Sequence, residues 1–416
     1  MSFSREFKQI LQSGSAGRRV DFLRRDLHRR PVISPVKTPE TGSLLELTIH
    51  DLSRSGPGVS RDDQGRVIFV PGTIGGDRVR VRIVSEEKRY ATGELVELLE
   101  PSPDRISPRC PVFGKCGGCT WQHVPYALQW RTKVEGVKHA LRRVELSPSG
   151  AWTEHPAERI WEYRNRVQAR GFQNELGFHA RGSIDRVPVE RCEIARPEIN
   201  AAWSSIREEG RRFSSPYKVE VEVLPDGQVR QAWNSRHGAG GFRQVHDEQN
   251  EVLRSVVSRG VPDGSELWDL YGGTGNLSLP LLPRLRALVS VDVGAPVTSP
   301  EILSGGTPTR FERRPVGHWA RGVIRAARKG KDPGGLRAAI LDPPRAGLGE
   351  DAADVVEALK LLGVQNVVAV GCDPDSWARD LKRLVRHGWQ LLDVDLVDLF
   401  PQTPHVESVA RLFRIP

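Results

Sequence analysis

Hydrophobic and polar positions follow three different rhythms along the chain. Between Pro39 and Glu100 they alternate over short runs: Leu44–His50, Arg66–Pro71 and Asp77–Val84, punctuated by SGPG, DDQG and GTIGG. A period of two broken by turn residues predicts short strands in a small antiparallel β-barrel. From residue 101 to 240 no long period emerges, although YRNRVQARGF (163–172) and ELGFHARGS (175–183) read as strands joined by turns. After Gly241 apolar runs at Leu267–Leu270, Ala287–Val293, Ala338–Asp342 and Val367–Gly371 are strand candidates, and the later ones are separated by helical stretches at 350–362 and 374–385. Short apolar strands alternating with helices predict a parallel, doubly wound sheet. The last two strands, LLDVDLV and VESVARLFRI, lack a helix between them, which predicts an antiparallel hairpin at the sheet's end. The chain is expected to be a multidomain α/β protein: a tail (1–38) with a short helix around Arg19–His28, a barrel (39–100), a central domain (101–240) and a C-terminal α/β domain (241–416).

Composition sharpens this picture at two points. Charge is concentrated: residues 1–38 hold nine Lys/Arg and three acids, and so carry +6 of the net +9 of the 416-residue chain. A basic tail on a modestly basic body suits a polyanionic partner such as RNA; a solvated leader explains the charge equally well. The same choice applies to Arg78, Arg80 and Arg82, which share one strand face and either lie on phosphates or stand in solvent. No apolar run approaches the ~20 residues of a membrane span, and the N-terminus lacks the apolar core of a secretory signal. Five cysteines, an odd number in a long chain, point to a reducing compartment. The expectation is a cytoplasmic monomer with no membrane partner.

The candidate chemistry sits where strands end. LWDL runs into YGGTGN, whose glycines let the backbone turn sharply beside a ligand. The next strand ends in Asp292, a carboxylate able to accept both hydroxyls of a ribose. With no phosphate-binding lysine, S-adenosyl-L-methionine suits this pair better than a nucleotide; a plain glycine turn and a surface acid compete with that reading. LDPPRAGL (341–348), VGCDPDSWARDL (370–381) and LFPQTPHVESVARL (399–412) also flank strands and can converge on the same edge. Cys372 falls where a helix begins, and the oriented amides there are expected to favour its thiolate; a small buried core residue is the alternative. Glu407 is either a solvated acid or a general base. Cys110, Cys116, Cys119 and the distant Cys192 make a four-thiol set with a C-x-x-C core, suited to a [4Fe–4S] cluster or to zinc.

The order DLYGGTGN, DPPRAG, GCDPDSWARDL and FPQTPHVESVARL resembles the RNA uridine-C5 methyltransferases, which make 5-methyluridine in tRNA or large-subunit rRNA. The similarity extends over nearly the whole chain after residue 38. It implies an OB-like barrel of the TRAM type at residues 44–100, a central α+β iron–sulfur domain and a Rossmann-like methyltransferase sheet. It also implies that Cys372 adds to C6 of a flipped or unpaired uridine and that Glu407 removes the C5 proton. Gln244, Tyr271, Asn276, Asp292 and Asp342 would line the adenosylmethionine pocket. Cys110, Cys116, Cys119 and Cys192 would hold a [4Fe–4S] cluster. The barrel favours 23S rRNA over tRNA as substrate. The chain departs from the family pattern at Gly371 (Ser in the family), Asp373 (Asn), Asp292 (Glu) and in the segment Phe242–His246. An acid at 373 is expected to raise the thiol pKa. These departures motivate a noncatalytic RNA-binding protein as the competing class, and a cluster-dependent redox enzyme as a third.

Overall fold

The structure is a computed structural model that describes residues 41–235, 243–296, 302–304, 306–327 and 336–415. The basic tail with its expected helix, and Phe242, lie outside the described residues. Residues 39–416 form one compact unit, whose described residues contain three sheets.

The first sheet contains β1 (Leu44–Thr48), β2 (Asp51–Leu52), β3 (Gly58–Arg61), β4 (Val67–Val70), β5 (Arg78–Glu86) and β6 (Tyr90–Glu100), in the order β1-β5-β6-β4-β3-β2. All neighbours are antiparallel except β4 and β6. Alternation in β5 does what the sequence implies. Val79, Val81 and Ile83 are fully buried with Ile68 and Val70, and Arg78, Arg80 and Arg82 stand on the other face. That face is not a free cationic surface. Arg78 pairs with Glu100 at 2.6 Å and Glu46 at 3.3 Å, Arg80 with Glu46 at 2.9 Å and with Glu97, and Arg82 with Glu94 at 3.7 Å. Register sets these pairs, because Glu46 lies opposite Arg80 on one side and Glu97 on the other. The arginines are cross-strand partners of glutamates, so a phosphate reaching this face has to compete with those carboxylates.

The central region divides between two neighbours. Helix α1 (Tyr126–Arg143) buries Val134, Val137, Ala140 and Leu141 in the apolar cluster that also contains Trp377 and Leu381 of the C-terminal region. Strand β7 (Trp152–His155) joins the edge of the C-terminal sheet. What remains forms the second sheet: β8 (Arg166–Phe172), β9 (Glu175–His179), β10 (Arg186–Pro188), β11 (Tyr217–Val223) and β12 (Val229–Trp233), ordered β10-β9-β8-β11-β12. Ile199 of α2 (Pro197–Ala201) with Trp203 and Ile206 of α3 (Trp203–Gly210) share its core with Val167, Ala169 and Val219.

The third sheet follows α4 (Asp247–Arg259). Its strands and helices are β13 (Glu266–Leu270), β14 (Ala287–Asp292), β15 (Ile302–Ser304), β16 (Thr307–Arg313), α5 (Val316–Ala327), β17 (Arg337–Leu341), α6 (Ala352–Leu361), β18 (Asn366–Gly371), α7 (Pro374–Arg386), β19 (Gln390–Val397) and β20 (Glu407–Phe413). Nine strands run in the order β15-β16-β14-β13-β17-β18-β20-β19-β7. The five from β16 to β18 are parallel, as the apolar runs predict, and β20 is antiparallel to both its neighbours. Every residue of β17 is buried, because helices cover both faces of a doubly wound sheet. Among the described residues no helix is long and apolar enough to cross a membrane.

Candidate active site

Four parallel strands end at one edge of the third sheet: β13 in the glycine turn, β14 in Asp292, β17 before Asp342 and β18 before Cys372. Because β20 runs the other way, its first residue, Glu407, arrives at that same edge, with Ser408 opposite Gly371. The carboxyl edge of a parallel sheet is where an open α/β fold receives its ligands.

The glycine turn rests on a buried acid. Tyr271 has φ +66°, and Gly273 and Gly275 have φ +55° and +87°; the glycines reach this left-handed region at low cost, whereas Tyr271 is strained there. A Cβ on Gly272 would stand 2.4 Å from Asp269 Oδ2 and 2.7 Å from Ser290 Oγ. Asp269 is fully buried and accepts a hydrogen bond from Ser278, but its Oδ1 and Ser290 Oγ have no partner among the described residues. Burial pushes Asp269 up to about 6. Burial, then the charges of Asp269 and Asp292, push Asp342 up to about 7. Three acids therefore crowd one turn, and a Cβ on Gly273 would meet nothing within 4 Å. Hydroxyls and positive charge would relieve this crowding, so the residues fit an adenosyl sulfonium ligand. Asp269 was absent from the sequence-derived candidates, although a lone acid within the apolar run LWDL marks it.

The other expected pocket residues are placed more variably. Asn276 exchanges two side-chain hydrogen bonds with Asn250 of α4 (3.1 and 2.9 Å) and accepts a third from Arg254 at 2.9 Å. Its amide is occupied in holding the turn to α4. Gln244 is buried just before that helix, and its carbonyl accepts from Asn165 Nδ2 at 2.9 Å. Tyr271 is half-buried, and burial raises its phenol pKa.

Cys372 is half-buried and Glu407 almost fully buried. Burial, then the Glu407 charge, pushes the Cys372 thiol up to about 12, while Arg345 pulls it down. The expectation that the helix start lowers this pKa is therefore corrected: loss of solvent outweighs the amide dipoles. The expected penalty from Asp373 is not among the leading forces on the thiol. Asp373 caps α7, accepting from Ser376 N at 2.9 Å, and the forces raising the Cys372 thiol are burial, Glu407 and Asp342. Gly371 is explained by packing: a Cβ there would meet the Trp377 side chain at 2.7 Å. Glu407 is raised well above the usual carboxylate range by burial and then by Asp342, again opposed by Arg345. Arg345, in the DPPRAG turn, was not among the sequence-derived candidates. Its Nη2 stands 3.1 Å from Nε2 of His405, whose own pKa burial lowers to about 4.

The four remaining cysteines lie within electrostatic reach of one another. Burial raises each thiol, Cys119 to about 12, with Cys192, Cys116 and Cys110 adding to the rise. A cation or cluster would relieve exactly the cost that such a set pays for ionising, so the donor chemistry fits thiophilic metal. As the side chains stand, no group of three or more His, Cys, Asp or Glu among the described residues is arranged to hold a metal ion.

Comparison with known proteins agrees with this layout. Residues 40–96 match the TRAM domain model, and residues 335–415 match the model of tRNA (Uracil-5-)-methyltransferase. The crystal structure of a Pyrococcus abyssi tRNA (uracil-54, C5)-methyltransferase with S-adenosyl-L-homocysteine shares the fold, with a TM-score of 0.64 at 20% identity over 88% of this chain and 100% of that one. An uncharacterized RNA methyltransferase of Bdellovibrio bacteriovorus is 30% identical over 90% of this chain and 96% of its own. A 23S rRNA (uracil(1939)-C(5))-methyltransferase of Cronobacter sakazakii is 28% identical over 90% and 97%. With strand ends that gather Asp292, Asp342, Cys372 and Glu407, and with a relative matched at this identity over nearly its full length, the chain belongs to the family of RNA uridine-C5 methyltransferases.

Proposed function

We propose that this enzyme methylates C5 of a uridine in 23S rRNA through a covalent adduct on Cys372. One observation carries the reading: antiparallel β20 brings Glu407 to the strand end that carries Cys372, close enough for its charge to raise the thiol. C5 of uracil is a weak nucleophile, and addition of the Cys372 thiolate to C6 gives it carbanion character. S-Adenosyl-L-methionine, when bound, would supply an electrophilic methyl group to C5, its sulfonium leaving as the thioether S-adenosyl-L-homocysteine. Glu407 then removes the C5 proton; the C–H electron pair restores the C5=C6 bond and expels the thiolate. Burial suits Glu407 to this step, since a carboxylate with a raised pKa is a stronger base. Arg345 makes both ionisations easier. The uridine must leave its stack to reach the strand edge.

The four cysteines are proposed to hold a [4Fe–4S] cluster that positions RNA, and the first two sheets to bind it. The rRNA preference is supported by the Cronobacter relative, which covers almost all of this chain. The test is to incubate the protein and adenosylmethionine with 23S rRNA transcripts and to map 5-methyluridine by mass spectrometry. Cys372→Ala should abolish the product and leave RNA binding within about threefold. No product from the folded wild-type protein on rRNA or tRNA, or product from Cys372→Ala, overturns the reading.

A further inference from the structure

Among the described residues the Glu407 carboxylate has no hydrogen-bond partner, so its position is set by its backbone, which β20 pairs with Val397 on one side and the loop 398–406 delivers from the other. The front of that loop is bound heavily. Asp398 is buried in an ion pair with Lys133 at 2.7 Å and accepts from Tyr126 at 2.9 Å. Lys133 also donates to the Phe400 carbonyl, and Tyr163 to that of Pro401 at 3.0 Å. Beyond Gln402 the ties are fewer: Thr403 Oγ1 donates to the Phe400 carbonyl at 2.8 Å and accepts from His405 N at 3.3 Å, His405 Nε2 lies 3.1 Å from Arg345 Nη2, Val406 is buried, and Pro404 and His405 are half-exposed.

Gln402 is the most heavily bound of these anchors and an unusual one. It is 2% exposed and has φ +68°, the left-handed region that a side chain other than glycine enters only under constraint. The constraint is visible. Its N–H donates to Gln129 Oε1 at 2.9 Å, and its Oε1 accepts from Gln129 Nε2 at 3.0 Å. Its carbonyl accepts from the backbone amides of Thr120 (3.0 Å) and Trp121 (3.1 Å), immediately after Cys119. Gln129 also donates to the carbonyls of Trp121 and Val124 at 3.1 and 2.9 Å. Two buried amides thus join the cysteine-bearing segment, helix α1 and the Glu407 loop.

We propose that Gln129 and Gln402 are positioning residues that set Glu407 against C5 of the uracil and so govern proton removal rather than methyl transfer. The inference rests on the covalent reading above and deepens it. A displaced loop leaves Cys372, the glycine turn and the acids where they are, so C6 addition and methylation proceed, and the methylated enzyme–RNA adduct then waits for its base. A purely structural role would lower every step together.

The experiment uses the full chain, adenosylmethionine and the RNA substrate in single-turnover reactions, with adduct and free 5-methyluridine RNA resolved under denaturing conditions. Glu407→Ala is the reference and should trap methylated adduct. Gln129→Met, close in volume but without the amide, should slow product release about 10–100-fold, as expected for a base displaced by about 1 Å. Methylated adduct should accumulate, with RNA and adenosylmethionine affinities within about twofold of wild type. Gln402→Gly, which tolerates the positive φ, should give the same trapped species and carries the test should Gln129→Met not fold. The inference is overturned when Glu407→Ala traps adduct and the glutamine variants either release product at the wild-type rate or lose activity without trapping. Absence of adduct even in Glu407→Ala overturns the covalent reading underneath, and the inference with it.

Discussion

Arg80 and Glu407 are both charged residues on strands of this protein, yet their surroundings are opposites. Arg80 is half-exposed and flanked by Glu46 and Glu97, which cross-strand register places on either side. Its charge is neutralised locally, and solvent screens such pairs so that they add little to stability. Glu407 is buried, has no hydrogen-bond partner among the described residues, and faces a second acid, Asp342. The fold completes charge pairs on the first sheet and withholds them at the edge of the third. Perturbed carboxylates of this kind cluster at functional sites, and that is the role proposed for Glu407.

The largest expected effect tests the unneutralised side. Glu407→Ala should reduce release of 5-methyluridine RNA about 10²–10⁴-fold, read by nucleoside mass spectrometry after RNA purification. Next comes pH. Cys372 and Glu407 both have raised pKa values, and in the proposed mechanism both act deprotonated, so their active fraction grows as pH rises. Single-turnover rates should therefore climb from roughly pH 6 to 9. Arg345→Ala, which removes the charge that lowers both, should move the rising limb up by about one pH unit. A flat profile would detach these two groups from the rate.

Smaller effects probe packing and the neutralised side. Gly371→Ser restores the family residue but drives its Cβ into Trp377; a loss of about 1–3 kcal/mol in denaturant unfolding is expected. Arg80→Ala should change RNA affinity by less than about threefold and leave the salt slope nearly unaltered, whereas deletion of residues 1–38, with their +6 charge, should flatten it. An Arg80 effect as large as that of the tail would show that RNA displaces the glutamates. The smallest effect is at the helix cap: Asp373→Asn keeps an acceptor for Ser376 N and should leave the pH profile within about 0.3 units of wild type.

Much of the fold was legible because local rules repeat. Period-two alternation located β5 and its inward valines, and unbroken apolar runs located β13, β14, β17 and β18. Helix α1 was overlooked even though Val134, Val137 and Leu141 recur at helical spacing. The addition of α1 and β7 to the third sheet was not legible, because both acquire their apolar partners from residues more than two hundred positions away.

The candidate site divides along the same line. Residue order by itself determined that glycines follow the first parallel strand, that Cys372 ends another, and that Glu407 precedes the last one, since each is written next to its own strand. Tertiary structure alone decided what those groups are chemically. The thiol of Cys372 is made harder, not easier, to ionise, Asp373 becomes a helix cap, the arginines of β5 are claimed by glutamates, and Asp269 emerges beneath the turn. The physical reason is that solvation and charge pairing depend on distance in space, and a chain specifies such distances only once its sheets have been assembled.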